Sequence, residues 1–330
     1  MWLSEEIGHH DHFIKTLATM PDGRVVSGDE DRHIRIWPMG QGSSMWLEGH
    51  RDAITALIPV AGRAALVSGS WDRTLALWDT STGERIRRFR GHLDRVDKAI
   101  VCKENARLLS SDESGVVCEF DLGNDSPLDA WYVHENRVRV LLDTGSSWIS
   151  AGDDGRVLER RWCDDAPRQL FWWAAPLYSA TLADHGRALV AVDAAGRVLV
   201  HRQGTGPVVV ASDEAYLRVI RLAPDGTTLV CGGKSGKLLF SCLDGDFDAA
   251  ATAVATRPVF DLAWLNGSEL AGCGRDGLVF FAGRLADGRW DIHELAAHKD
   301  HVFAVTVAGE DAFVTGGIDG KVIAWRRVEY

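Results

Sequence analysis

His50, Ser68 and Asp72 are the side-chain types of a hydrolytic triad: a hydroxyl nucleophile, an imidazole base and a carboxylate to orient it. With Trp78 beside it, the same set recurs as His9, Ser27, Asp31 and Trp37, and again as His298, Thr315, Asp319 and Trp325. Catalysis needs one such constellation, whereas a structural device is copied, so the recurrence points to a framework and no catalytic residue is assigned. The run His9, His10, Asp11, His12 offers metal-ligand chemistry, but neighbours in an extended chain point in opposite directions and rarely converge on one ion. No metal site is expected. The glycines never assemble GxGxxG or a phosphate-binding GxxxxGK, so no nucleotide or other cofactor is expected either.

What positions these residues is a phrase that returns eight times: a short apolar run, a small residue, a polar tight turn, and a second apolar run ending near an aromatic. The clearest copies are Leu66 to Trp78, Val25 to Trp37 and Phe313 to Trp325. Anchored on the small residue, the copies fall at Ser27, Ser68, Ser110, Ser150, Ala191, Cys231, Gly272 and Thr315, in steps of 41, 42, 40, 41, 40, 41 and 43. A period of about 40 to 45 residues with four short strands per unit is that of a propeller blade. Apolar residues alternate within each phrase, as strands require, and Pro21-Asp22-Gly23, Asp154-Gly155 and Asp319-Gly320 supply turns. The second unit reads as strands at 54–59, 65–69, 74–79 and 84–90. The fold expected is all-β, eight blades of four antiparallel strands, or seven if one weak copy is not a blade. The strand-like stretch Trp2 to Ile7 is expected to supply the outer strand of the last blade and remove its open edge. Residues 1–330 are read as one domain.

The bulk numbers set limits on function. A net charge of −11 argues against wholesale binding to nucleic acid or an anionic membrane. Six cysteines form neither a CxxC pair nor a disulfide framework, and Cys118 and Cys231 fall inside strand phrases, which favours a reducing cytoplasm. Residues 1–12 have no apolar leader core, and no stretch approaches a membrane span. Arg outnumbers Lys, and Ala, Gly, Asp and Val are abundant, a composition that suggests a bacterial source.

The whole chain resembles WD40-repeat proteins, on Gly8-His9, Gly49-His50, Gly91-His92 and Trp78-Asp79 in eight units that keep register. It departs from them where blades five to seven lack the tryptophan and where the turn Asp is replaced by Ser114, Ala195 and Ser235. The resemblance implies that the His, Ser or Thr, Asp and Trp sets form buried structural networks. It also implies a partner-binding face built from the loops around the first strand of each blade. The residues expected on that face are Trp71, Arg95, Arg137, Arg139, Tyr178, Tyr216, Arg218, Lys234, Phe260, Arg275 and Phe303. Arg presents a planar fork to carboxylate or phosphate, and aromatic side chains give rigid contact area. The expected function is a non-catalytic protein-interaction scaffold or adaptor whose basic and aromatic arc takes an acidic or phosphorylated segment of a partner, acting as a monomer or as part of a larger complex. The alternative for the arc is that its arginines pair with local acids such as Asp97, Glu113 and Asp153. The alternative for the function is a propeller hydrolase of lactonase or peptidase type with a central site. Leu170 to Trp173 is expected in an outer strand, with one of Trp172 and Trp173 exposed and the other buried.

Overall fold

Every phrase of the repeat becomes a sheet. The computed structural model describes residues 1–102, 107–242 and 251–328, with the side chains of 242 and 251–254 outside that description. It contains eight four-stranded antiparallel sheets; in seven of them each strand pairs with its neighbour in sequence, and the eighth joins the first strand of the chain to the last three. These are the blades of an eight-bladed β-propeller fold, spanning 14–47, 54–90, 96–132, 138–172, 177–212, 217–254, 259–295 and 302–327. The eight-copy count holds, and no copy is lost as degenerate. Among the described residues there is no α-helix, and none long and apolar enough to cross a membrane.

The N-terminal strand Trp2–His9 pairs with Lys321–Arg327 from Trp2 opposite Arg327 to His9 opposite Lys321, completing the eighth sheet as expected and running two residues further than Ile7. The chain divides into two compact units. One comprises residues 12–176 and holds blades one to four; the other combines residues 1–11 with 177–330 and holds blades five to eight.

In each unit the core lies between consecutive blades. Val67, Leu75, Leu77 and Phe89 of blade two meet Val96, Leu108, Cys118 and Phe120 of blade three, with the Phe89 and Phe120 rings 5.3 Å apart. Leu270, Phe280 and Ala282 of blade seven close over Val219, Val230 and Phe240 of blade six in the same way. Since both faces of a blade are covered, its second strand is buried throughout, as in Ala65–Ser70 and Ala188–Asp193. Outer strands are half exposed, as in Arg168–Trp172. Trp172 there is 59% exposed, while Trp173, just beyond the strand, is half-buried.

All eight sheets share a β-bulge near the start of the first strand. The register between first and second strands slips by one at Lys15, Thr55, Asp97 and Arg139, and again at Tyr178, Arg218, Phe260 and Phe303. A bulge leaves one residue unpaired and re-aims its side chain. In blade one Ile14 is fully buried and Lys15 is the bulged residue.

Candidate partner-binding face

The triad-like residues are packed beneath the bulged ends of the strands. His50 Nδ1 lies 2.9 Å from Asp72, its Nε2 2.7 Å from Ser68 Oγ, and the Trp78 indole N–H donates to the same oxygen at 2.8 Å. Blade eight repeats this with His298, Asp319, Thr315 and Trp325. Two further sets escaped the sequence reading. His92 joins Asp112 and Ser110, and His134 joins Asp154 and Ser150. The signal was the distance of sixteen to eighteen residues from histidine to anchor serine, which the Gly-His dipeptide obscures because His134 follows Val133.

The acid occupies one of two turn positions. Asp72, Asp154 and Asp319 stand four residues after the anchor; Asp112 stands two after it, and so does Asp193 in blade five. The carboxylate expected to be missing at Ser114 is therefore present at Asp112, whose Oδ1 takes the Ser114 and Val116 amides and the Ser114 hydroxyl. At Ala195 it is likewise replaced by Asp193, which binds the Ala195 and Arg197 amides and the Arg197 side chain. Blade six reverses the polarity: Ser235 in the turn donates to Asp213, which stands where the histidine stands elsewhere.

Blade one corrects the expected set. His9 is exposed, and His10 is the buried histidine, 3% exposed. Asp31 is half-exposed beside His12, 3.4 Å away, whereas buried Asp29 takes the His33 amide at 2.7 Å and its ring at 3.2 Å. The Trp37 to Ser27 bond forms as expected, at 2.7 Å.

Burial alone would raise the Asp72 carboxyl, but the His50 hydrogen bond and charge, with Thr74 and the Arg51 amide, hold it well below the usual carboxylate range. Asp112, Asp154 and Asp319 are lowered against burial by His92, His134 and His298 in the same way. The hydroxyls of Ser68, Ser110, Ser150 and Thr315 are fully buried, so no substrate reaches the atom that would have to attack. Burial also pushes the Cys118 and Cys231 thiols up to about 12, the behaviour of small core residues.

Of the face residues, Arg139, Tyr178, Arg218, Phe260 and Phe303 sit at the bulges, Arg95, Arg137 and Tyr216 just before a first strand, and Trp71, Lys234 and Arg275 in turns between second and third strands, and the two units treat them differently. In the unit of residues 12–176, Trp71 carries two cations over its ring, Lys15 at 3.8 Å and Arg95 at 4.5 Å, beside a cleft of about 430 Å³ lined in part by Arg51, Arg73 and Asp94. Arg137 grips Asp97 with two nitrogens and approaches Glu113 at 3.4 Å; Arg139 grips Asp153. These two arginines pair with the local acids weighed as their alternative partners.

In the unit holding blades five to eight, the bulged residues Tyr178, Arg218, Phe260 and Phe303, with Tyr216 and Lys234, form a strip of aromatic and cationic side chains. Tyr178 meets Tyr216 edge-on at 5.9 Å, and Lys234 lies over Tyr216 at 5.9 Å. Arg218 lies over Phe260 at 4.6 Å, and Phe260 stacks on Phe303 at 5.6 Å. Arg275 faces Asp276 at 3.5 Å. Asp261 and His293, isolated in the sequence, each have a partner: Asp261 accepts from Arg221 at 2.6 Å, and exposed His293 faces Asp291 at 3.2 Å.

Fold and networks together define a propeller of repeated, buried polar clamps. The sequence profile of the WD domain, G-beta repeat, matches residues 3–38 and 43–79. Similar proteins include the "Target of rapamycin complex subunit wat1" of Schizosaccharomyces pombe, 28% identical over 47% of this chain and 48% of that one. "WD repeat-containing protein 1" of Rattus norvegicus is 23% identical over 97% of this chain and 62% of that one. This chain therefore spans about half to three fifths of the length of these curated relatives. Among solved structures, the computationally designed Ika8 protein superposes with a TM-score of 0.83 at 20% identity over 98% of both chains, a likeness of fold. The first two repeats thus match the WD40 family model, and the chain as a whole is similar to WD repeat-containing proteins.

Proposed function

We propose that this chain is a non-catalytic protein-interaction scaffold, working in the cytoplasm as a monomer or within a larger complex, that takes an acidic or phosphorylated segment of a partner on the strip Tyr178, Tyr216, Arg218, Lys234, Phe260 and Phe303. One observation carries the reading: Arg218, exposed at a bulge, has no carboxylate partner among the described residues and lies over an aromatic ring. A guanidinium held flat on a ring keeps its N–H edges free for an anion, and aromatic neighbours bury the flanking segment. The yeast relative's printed description as a complex subunit supports a role in assembly.

Arg218 is also the cleaner residue to test, because reversing Arg137 would strand buried Asp97. The wild-type chain and an Arg218→Glu/Lys234→Glu variant are each used to capture partners, with melting recorded to confirm equal folding. Loss of the wild-type partners by the variant is expected. An unchanged partner set recovered by a folded variant rejects the strip.

A further inference from the structure

Many arginines of this chain are neutralised: Arg107, Arg137, Arg139, Arg168, Arg221 and Arg327 each hold a carboxylate within hydrogen-bonding distance. Blade two instead concentrates arginines on its outer strand, Arg85–Arg90, which reads RIRRFR. Arg87 pairs with Asp125 at 2.6 Å. Its three companions have no acid partner among the described residues. Arg85 and Arg88 instead both donate to the carbonyl of Gly49, Arg85 at 3.4 Å. Two guanidinium groups thus converge on one neutral acceptor, and Arg51 stands two residues along the same loop.

The acid closest to them electrostatically, Asp72, is already taken. Its Oδ2 receives His50 and the Arg51 amide, and its Oδ1 receives the Thr74 amide and hydroxyl. Arg88 Nε is buried and has no partner. Burial lowers the Arg88 pKa, and the charges of Arg85, Arg90 and Arg51 lower it further, with Asp72 opposing. Four guanidinium groups against one engaged carboxylate repel one another, and an anion bound among them would offset that repulsion.

We propose that Arg85 and Arg88, which converge on the Gly49 carbonyl, together with Arg51 on the same loop and Arg90 on the same strand, form a docking site for a phosphorylated side chain of a partner protein. The excess charge here exceeds what one carboxylate neutralises, whereas a phosphoryl group brings close to two charges and three acceptor oxygens suited to guanidinium forks. Ile86 on the same strand is 54% exposed and Leu93 just beyond it 73% exposed, giving aliphatic contacts for residues flanking the phosphate. A nucleic-acid strand would want stacking rings beside the arginines. The exposed tryptophan of the preceding blade, Trp46, already carries Arg35 over its ring at 4.4 Å, and the chain's charge of −11 repels a polyanion. This site is separate from the strip around Arg218 and does not depend on it.

The test is calorimetric, on the full chain, with the peptide acetyl-Ala-phosphoserine-Ala-amide, its glutamate counterpart, inorganic phosphate and a dT12 oligonucleotide. The phosphopeptide is expected to bind about 10-fold or more tightly than the glutamate peptide, with inorganic phosphate competing. Arg85→Ala/Arg88→Ala is expected to lose about 10-fold or more in affinity and Arg289→Ala, at an exposed arginine outside both sites, none; since the alanine pair leaves the strip around Arg218 intact, failure here and failure of the strip are told apart. Should the alanine pair fail to fold, Arg85→Lys/Arg88→Lys keeps the charge and, lacking the fork, is expected to weaken binding about 3- to 10-fold. Equal binding of the two peptides, or wild-type affinity in the variants, overturns the proposal. Displacement of the phosphopeptide by dT12 at lower concentration than by phosphate would assign the cluster to nucleic acid instead.

Discussion

Asp72 concentrates the logic of the networks in one carboxylate: four hydrogen bonds converge on a side chain that is 7% exposed. Asp72→Ala removes the acceptor of a buried imidazole and of three other donors. A loss of about 1 to 3 kcal/mol is expected, read as a lower denaturation midpoint, because stranded buried donors cost more than a hydrogen bond contributes. The pH dependence follows from the direction of the shifts. Asp72, Asp112, Asp154 and Asp319 are all held below their ordinary value, so each contributes stability that is complete above about pH 4 and is lost as acid protonates the folded carboxylates. Melting temperature should fall steeply below pH 4, and Asp72→Asn should make that fall shallower; an unchanged acid slope would count against the network. At this scale the sequence displayed the residue types but not their register. His9 and His10 are indistinguishable by composition, and only the slip near Gly8 in the pairing with Lys321–Arg327 turns His10 inward. Asp112 was hidden because a turn can deliver its carboxylate from either of two positions.

At the scale of strands and turns, the middle strands were legible because both their faces are buried: unbroken runs such as Ala65–Ser70 leave no ambiguity. The bulges were not legible. One extra residue in a strand changes no residue type, and alternation read over six residues absorbs it, so nothing in the sequence sets Lys15 apart from Ile14 as the residue left unpaired. Gly115 marks how tightly the loops are drawn. It has φ 95°, and a Cβ there would lie 2.0 Å from the His134 carbonyl oxygen, so the loop carrying His134 closes only over glycine. The strand Trp2–His9 lends itself to a direct test. It covers Lys321–Arg327, with Trp2 packed 5.0 Å from Phe313 and Lys321 paired to Glu6 at 2.5 Å. Deleting residues 1–9 uncovers that edge and removes the ring packed on Phe313. A drop in melting temperature together with concentration-dependent self-association, seen by light scattering, is expected. A deletion variant that stays monodisperse and equally stable would show that the pairing is dispensable.

For the molecule as a whole, the consequence lies in connectivity. The unit holding blades five to eight is assembled from residues 1–11 and 177–330, so the chain that builds the other unit is inserted within it. Its last sheet cannot be completed until the C-terminal strand has been made, even though its outer strand emerges first. A cut at residue 176 therefore parts the unit holding blades five to eight from its outer strand Trp2–His9, and we expect residues 1–330 to unfold as one cooperative body. The ends of the described chain lie side by side, with the Met1 amino group 3.3 Å from the Val328 carbonyl and the Val328 amide 2.9 Å from the Met1 carbonyl. A circular permutant that joins them through a short glycine linker and opens the exposed turn between Gln41 and Gly42 preserves every sheet. It should melt within a few degrees of the parent, in a single transition that coincides by circular dichroism and tryptophan fluorescence, whereas the deletion of residues 1–9 should not. Two separated transitions in the parent chain would mean that the halves fold independently and that the one-domain reading of the repeat fails.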